Sequence, residues 1–211
     1  MAKQLVVLIS GQGSNLGAIL AAGLPVAAVL SNRADAAGLQ LARTRGIPTG
    51  VVAHTDFSSR AEFDCAMRQK IDDYAPDLVV LAGYMRILTD AFVDHYTGRL
   101  INIHPSLLPS YTGLDTHARA LADGVKIHGC SVHFVTRAVD HGPIIIQAAV
   151  AVHVHDTVDS LRHRVLLAEH HIYSQAIRWF IEGRLQISES GKVNLSAATP
   201  SEQSVLMTDV G

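Results

Sequence analysis

Short apolar runs of strand length alternate along the chain with stretches whose apolar residues recur at helical spacing. No polar side chain occurs in the runs Leu5–Ile9, Val26–Leu30 and Leu78–Ala82. A strand that is covered on both faces has no solvent side, so uninterrupted apolar runs of this length are typical of a buried parallel sheet. The pattern therefore predicts an α/β fold with a mostly parallel sheet flanked by helices.

The alternation changes in the second half of the chain. Cys130–Val135 and Ile144–Val152 form two strand-like runs joined by a short turn-rich stretch. Such a pair is typical of a hairpin, which makes the predicted sheet mixed at one edge. A long amphipathic helix follows, capped by Asp156 or Thr157.

Further helices and strands are expected around these runs. A weak third strand is expected at Thr49–Ala53, and Ser59 with Glu62 has the spacing of a capping box that starts a helix ending near Tyr74. A chain of 211 residues favours one domain. We expect a catalytic domain over residues 1–187 and a polar C-terminal tail over 188–211, loosely held from Ser196 onward.

Composition narrows the class of protein. Hydrophobic residues make up 48% of the chain, and 17 Lys and Arg stand against 19 Asp and Glu. Nucleic-acid partners are not expected, because their binding normally requires a basic excess. No apolar run is long enough to span a membrane, and no signal peptide pattern opens the chain. The composition favours a cytoplasmic enzyme with small-molecule substrates, either a monomer or a homodimer.

A glycine-rich turn follows the first strand, at Ser10–Ser14. Its glycines at 11, 13 and 17 do not have the spacing of a dinucleotide fingerprint, and no Gly-Lys-Ser/Thr follows as in a Walker loop. Two interpretations stay open: a tight turn with a helix cap, or a phosphate site made by free amides and the helix dipole. In the second case a side chain at Gly13 would obstruct the anion.

Two polar residues interrupt the end of another apolar run, Leu100–Ile103. Asn102 and His104 are two positions apart, so their side chains emerge on the same face of the strand. Open α/β sheets bind ligands at the carboxyl ends of their strands, and buried polar groups need partners. The pair favours a functional site. Asp140, in a turn, belongs to it only if the fold brings its carboxylate to His104, where it would favour the imidazolium.

The 12 histidines raise the question of a metal site. His153 and His155 share one predicted strand face, and His163 and His170 share one helix face. No HExxH pattern or cysteine accompanies them, so surface histidines are the better interpretation and no metal is expected.

Several motifs together resemble the phosphoribosylglycinamide formyltransferases, which are folate-dependent enzymes of purine synthesis. The resemblance covers about residues 4–187. The Asn-Ile-His-Pro-Ser-Leu-Leu-Pro motif is shared by transferases that use 10-formyltetrahydrofolate. Within that superfamily, the Gly-x-Gly-Ser-Asn turn narrows the resemblance to the phosphoribosylglycinamide formyltransferases and their close relatives. The matching stretches are Gly11–Asn15, Met85–Leu88, Asn102–Pro109, His128–His133 and Asp140–Ile144.

The resemblance implies a role for individual positions. The catalytic trio would be Asn102, His104 and Asp140, with 10-formyltetrahydrofolate as cosubstrate and no metal. Departures from the family pattern lie at Ser110–Gly113, Asp115 and His141. Glycinamide ribonucleotide would bind at Gly13, Ser14, Asn15 and Glu169, and the folate at Arg60, Met85, Arg86, Ile87, Leu88 and Asn102.

The chemistry of formyl transfer suits these residue types. An amide donor from Asn102 and an imidazolium from His104 would stabilise a tetrahedral oxyanion, and Asp140 would maintain that imidazolium or accept the amine proton. The implied geometry brings Gly11–Asn15 and the trio into one cleft. Rival functions are methionyl-tRNA and sugar formyltransferases, formyltetrahydrofolate deformylase, and a non-catalytic phosphate-binding module that would leave Asn102 and His104 without a role.

Overall fold

The computed structural model describes residues 3–199 and residue 202. These residues divide into two compact units. The first contains the chain up to Asn102 together with Val135–Arg137, and the second contains Ile103–Phe134 and the chain from Ala138 onward. The division falls inside one strand, between Asn102 and Ile103.

The first unit alternates strands and helices as the apolar runs predict. A single turn of 3₁₀ helix at His54–Asp56 precedes its longest helix. In chain order the elements are β1 (Leu5–Ile9), α1 (Ser14–Ala21), β2 (Val26–Ser31), α2 (Ala37–Thr44), β3 (Thr49–Val51), α3 (Arg60–Asp72), β4 (Leu78–Leu81), α4 (Asp90–His95) and the start of β5 (Leu100–His104).

The second unit contains the end of β5 and the remaining elements. Its longest helix packs against its two long strands. The elements are α5 (Thr116–Ala122), β6 (Ile127–Phe134), β7 (Ile144–Ala151), α6 (Val158–Ile181), β8 (Leu185–Ile187) and β9 (Val193–Leu195).

Seven strands form the main sheet, in the order β3-β2-β1-β4-β5-β6-β7. The pairs β1–β2, β1–β4, β2–β3 and β4–β5 are parallel, whereas β6 and β7 pair in antiparallel fashion. The predicted fold class is confirmed, including the mixed edge. All five side chains of β1 are fully buried, as its apolar sequence requires for a central strand.

Three local expectations need correction. Helix α5 and the hairpin β8–β9 were not expected, and both are short segments whose apolar periodicity is weak. Ser59 accepts from the Glu62 amide as predicted, but the Glu62 carboxylate accepts from Ser58 instead of closing the capping box. The hairpin pairs Leu185–Ile187 with Val193–Leu195.

Where the structure describes it, the segment expected to be loose from Ser196 is hydrogen-bonded to Arg184 and Trp179. The Ser196 amide donates to the Arg184 carbonyl, and the Glu202 carboxylate forms a bidentate ion pair with the Arg184 guanidinium. The Trp179 indole also donates to Glu202 at 3.0 Å. The rest of the predicted tail lies outside the described residues.

Asp156 is the charged group that holds the start of α6. Its carboxylate accepts two hydrogen bonds from Arg164, at 2.8 and 2.9 Å. These bonds hold the pKa of Asp156 well below its usual range, helped by the His153 amide and the Ser160 hydroxyl. A lowered folded-state pKa stabilises the protein above the unfolded-state value of about 3.9, and that stabilisation is lost as the pH falls.

We therefore expect Asp156→Asn to lower the free energy of unfolding at pH 7 by about 1.5–3 kcal/mol, the range for hydrogen bonds to charged groups. The difference from the wild type should shrink between about pH 4 and pH 2. Denaturant unfolding at several pH values measures it. Asp35→Asn is the control, because the Arg33–Asp35 pair is largely exposed and contributes little. A gap that stays constant with pH would contradict the assignment.

Candidate active site

Two polar side chains lie at the carboxyl end of β5. His104 is buried, and Asn102 is half-buried two residues earlier on the same strand. The intervening Ile103 points to the other face, as the two-residue period of a strand requires. The predicted pairing of Asn102 and His104 on one strand face is therefore present.

Asp140 and His104 lie close together within the second unit. Nδ1 of His104 lies 3.6 Å from Oδ1 of Asp140, and both side chains are more than nine-tenths buried. Asp140 has a φ of +57°, the left-handed conformation that Asp tolerates better than most residues. This backbone conformation directs the Asp140 side chain toward the buried His104. The predicted proximity of the two side chains is confirmed.

The loop that follows β5 contacts both members of this pair through its backbone. The carbonyl of Tyr111 accepts from Nε2 of His104 at 2.9 Å. The amide of Gly113 donates to Oδ2 of Asp140 at 2.8 Å. Sequence reasoning missed both contacts, because backbone groups carry no sequence pattern. They leave His104 with an acceptor on one ring nitrogen and a carboxylate near the other.

A second histidine faces Asp140 from β6. Nε2 of His133 lies 3.9 Å from Oδ1 of Asp140, and its Nδ1 bonds the Phe134 carbonyl at 2.9 Å. Burial lowers the pKa of His133 despite the nearby carboxylate, so this ring is neutral near pH 7. His133 was not singled out as a site residue; its only sequence signal was its place in a motif of the resemblance.

Buried hydroxyl groups hold the loop after His104. The Ser131 hydroxyl donates to the Ser106 carbonyl at 2.7 Å and accepts from the Leu108 amide at 3.0 Å. Gln147, from the neighbouring strand, donates both to Ser131 and to the Leu108 carbonyl. Since each of these groups has a partner, the buried loop backbone carries little desolvation penalty.

Two further histidines pack beside this loop. Nε2 of His128 lies 3.2 Å from Nδ1 of His117, and the Tyr111 ring meets His128 edge-on. Burial, and then the nearby His128, lowers the pKa of His117 to about 4. Burial also lowers the pKa of His128, so both rings are neutral near pH 7, and His128 is the one that contacts Tyr111.

The glycine turn lies in the first unit and opens α1, whose N-cap is Gly13. This helix has no side-chain cap and no acidic residue in its first turn. The N-cap position therefore supplies no side-chain acceptor to the first turn, and no carboxylate there interacts with the helix dipole. Ser14 is exposed and Asn15 is buried, at the first two positions of the helix.

Gly13 has a structural role that the sequence did not predict. Its φ is +78°, and a Cβ placed there would lie 2.7 Å from Cα of Gly38 in α2. A substitution at Gly13 would disturb the packing of two backbones whether or not a ligand binds. The expected obstruction of an anion by a side chain at this position is therefore not a usable test of phosphate binding.

The residues implied in folate binding also lie in the first unit. Arg60 is exposed at the start of α3, and Met85 and Ile87 are 70% and 58% exposed between β4 and α4. The Arg86 guanidinium lies 5.2 Å from the Phe63 ring centroid. Leu88 is half-buried. In the second unit, Glu169 is buried on α6, and its charge adds to burial in raising the pKa of Cys130.

Within residues 3–199 and residue 202, no group of three His, Cys, Asp or Glu side chains could hold a metal ion. No helix in the same part of the chain has the length and apolar character needed to cross a membrane.

Comparison with known proteins gives consistent matches. The family model described as formyl transferase matches residues 3–177. Phosphoribosylglycinamide formyltransferase of Escherichia coli K12 is 53% identical over 192 residues, which cover 88% of this chain and 91% of that protein. The trifunctional purine biosynthetic protein adenosine-3 of Homo sapiens is 45% identical over 196 residues, covering 90% of this chain and 19% of the human protein.

A solved structure of a protein with the same name as the Escherichia coli relative also matches this chain. Phosphoribosylglycinamide formyltransferase (purN) of Coxiella burnetii, in complex with CHES, has a TM-score of 0.90 with this chain at 47% sequence identity. The match covers 98% of this chain and 99% of that one.

Proposed function

The chain belongs to the formyl transferase family, and from this premise we propose that it transfers the formyl group of 10-formyltetrahydrofolate to the primary amine of glycinamide ribonucleotide. This is a step of de novo purine biosynthesis in the cytoplasm. The observation that carries the proposal is the buried pair formed by His104 and Asp140. His104 is the last residue of β5 and lies two residues after Asn102.

The reaction needs charge stabilisation and proton transfer. The amine nitrogen attacks the formyl carbon, whose oxygen becomes an oxyanion. The C–N10 bond then breaks, and N10 takes up the proton that the amine has lost. Asn102 and the imidazolium of His104 stabilise the oxyanion in this proposal. Asp140 supports the positive charge of His104 and accepts the proton that the amine loses, directly or through water.

The loop after β5 has a part in this scheme. Nε2 of His104 is bonded to the Tyr111 carbonyl, so that nitrogen can reach a substrate oxygen only after the carbonyl moves aside. The Gly113 amide meanwhile holds Asp140. We assign the loop the role of keeping His104 and Asp140 oriented until substrate replaces the Tyr111 carbonyl.

The ribonucleotide phosphate is assigned to Gly13, Ser14 and Asn15, and Glu169 to the same substrate. The uncapped start of α1, with no acid in its first turn, supports an anion site there. The folate is assigned to Arg60, Met85, Arg86, Ile87 and Leu88, with Asn102. Two of these five are large apolar side chains left exposed, which suits the face of a pterin ring.

Ser14→Asp separates phosphate binding from helix stability. An acid at the first position of α1 should stabilise the helix by about 0.3–1 kcal/mol through the helix dipole. The same charge should repel the phosphate and raise the KM for the ribonucleotide by at least about tenfold, which corresponds to about 1.4 kcal/mol. Thermal unfolding and steady-state kinetics measure the two effects, with Ser14→Ala as the control. An unchanged ribonucleotide KM would place the phosphate elsewhere.

The proposed function is tested by a formyl-transfer assay with the purified protein and 10-formyltetrahydrofolate. Glycinamide ribonucleotide, an aminoacyl-tRNA and water alone serve as acceptors. Formylation of the ribonucleotide only supports the proposal. Release of formate without an amine acceptor would identify a deformylase, and tRNA formylation would identify a different transferase. Absence of any turnover would favour a non-catalytic binding module.

A further inference from the structure

The residues between β4 and α4 have no regular secondary structure. We call Met85–Thr89 the connecting segment. Its side chains alternate, with Met85 and Ile87 exposed and Arg86 and Leu88 half-buried. A segment without repeating hydrogen bonds keeps one shape only if other groups bind its backbone.

One such group binds the start of the segment. The Met85 amide donates to the hydroxyl of Ser10 at 2.8 Å, and Ser10 is buried directly after β1. The Ser10 hydroxyl donates in turn to Oδ1 of Asn32 at 2.6 Å. Because its proton is directed at Asn32, the lone pairs of Ser10 are free to accept from Met85. Asn32 is also buried, directly after β2.

A second group binds the end of the segment. The Thr89 amide donates to Oδ2 of Asp64 at 2.6 Å, and the Asp64 side chain comes from α3 and is 2% exposed. A carboxylate that accepts from a backbone amide in a buried place forms a strong, charge-assisted bond. The segment is therefore fixed at both ends by side chains that are distant from it in sequence.

The surroundings of Asp64 contain several buried polar atoms. Among the described residues, Oδ1 of Asp64, the Tyr84 hydroxyl and Nε of Arg86 are buried without a hydrogen-bond partner. Burial, and then the Asp64 carboxylate, raises the pKa of Tyr84. Buried polar atoms without partners destabilise a fold. A role in shaping the connecting segment explains why a carboxylate occupies this place.

We propose that Ser10 and Asp64 are positioning residues that hold the connecting segment in the shape that receives the formyl-folate, with Asn32 orienting Ser10. The assignment rests on the proposed function, because it takes Met85–Leu88 as part of the folate site. Neither side chain needs to touch the cosubstrate. If either bond is lost, a smaller fraction of the protein holds the binding shape, and the apparent affinity falls by that fraction.

Ser10→Ala tests the first bond. The loss of a single buried hydrogen bond should raise the folate KM about 5- to 20-fold. The KM for the ribonucleotide, and kcat at saturating folate, should stay near the wild-type values. Ser31→Ala is a matched control, because Ser31 is also buried at a strand end and its hydroxyl also accepts from a backbone amide, that of Arg33 at 3.0 Å. That control should leave the folate KM unchanged.

Asp64→Ala tests the second bond, and Asp64→Asn tests whether the acceptor oxygen is what matters. The alanine variant should raise the folate KM by a similar factor. The asparagine variant keeps an oxygen that can accept from Thr89, so it should restore most of the affinity. Amide hydrogen exchange at Met85 and Thr89 is measured in parallel and should be faster in the corresponding alanine variants.

The outcomes separate this assignment from the proposed function. Wild-type protein that neither binds nor uses 10-formyltetrahydrofolate overturns the proposed function and the assignment with it. A wild-type enzyme whose folate KM is unchanged in Ser10→Ala and Asp64→Ala overturns the assignment alone. A parallel rise in the KM of both substrates, or an equal effect of Ser31→Ala, also overturns it, because general loosening would explain such results. Failure of Asp64→Asn to restore affinity rejects the Thr89 bond as the cause.

Discussion

Replacing Asp140 with asparagine is expected to lower kcat about 10²- to 10⁴-fold, the range attributed to a positioned acid–base group. Asparagine keeps the shape of the side chain, and its oxygen can still accept from the Gly113 amide that now bonds Asp140. It removes the charge that lies 3.6 Å from His104 and the acceptor for the amine proton. Steady-state kinetics with both substrates should show KM values near those of the wild type.

The control and the double variant sharpen this test. His141→Ala changes the exposed neighbour of Asp140 and should leave kcat within a few-fold of the wild-type value. His104→Ala should be at least as damaging as Asp140→Asn, and the double variant should be little worse than the worse single one, since residues acting as a unit are not additive. Wild-type kcat in Asp140→Asn, or fully additive losses, would reduce Asp140 to a turn residue.

Asn102→Ala is expected to raise the barrier by about 2.7–4 kcal/mol, the cost of losing one oxyanion donor. Asn102→Asp should be worse, because it replaces the donor with a negative charge next to the developing oxyanion. A purely structural role predicts the reverse order, since aspartate preserves the size and shape of asparagine. Single-turnover rates with saturating substrates measure the chemical step for both variants.

Unfolding measurements accompany the Asn102 variants. Both should keep a cooperative transition, because Asn102 is only half-buried. An aspartate variant that is more active than the alanine variant would reject Asn102 as an oxyanion donor.

The sequence predicted the architecture because the central strands are apolar on both faces. Leu5–Ile9 and Leu78–Leu81 are buried strands in the positions expected from their composition. The short elements α5, β8 and β9 were missed, since a few residues give too little periodicity to distinguish a helix or strand from a loop.

The sequence also placed two sets of candidate site residues on the elements where the structure has them. Asn102 and His104 lie on a strand, and Gly13, Ser14 and Asn15 lie at the start of a helix. Asn102 and His104 share a strand face because side chains alternate along any strand. Gly13, Ser14 and Asn15 stand at a helix start because glycine permits the φ of +78° that the turn requires. These are local properties of the chain, and a single sequence determines them. Their functional roles remain predictions.

Which polar groups contact one another depends on the packing of the whole chain. Asp140 is separated from His104 by 36 positions in the sequence, and the return of the chain through β6 and the turn after it brings the two together at 3.6 Å. His133, the Tyr111 carbonyl and the Gly113 amide join them through contacts that no local pattern encodes. The same holds for Ser10 and Asp64, which bind the Met85–Thr89 segment from distant positions. Side-chain alternation and backbone conformation are set by neighbours along the chain, whereas the partner of a buried polar group is set by the packing of the whole fold.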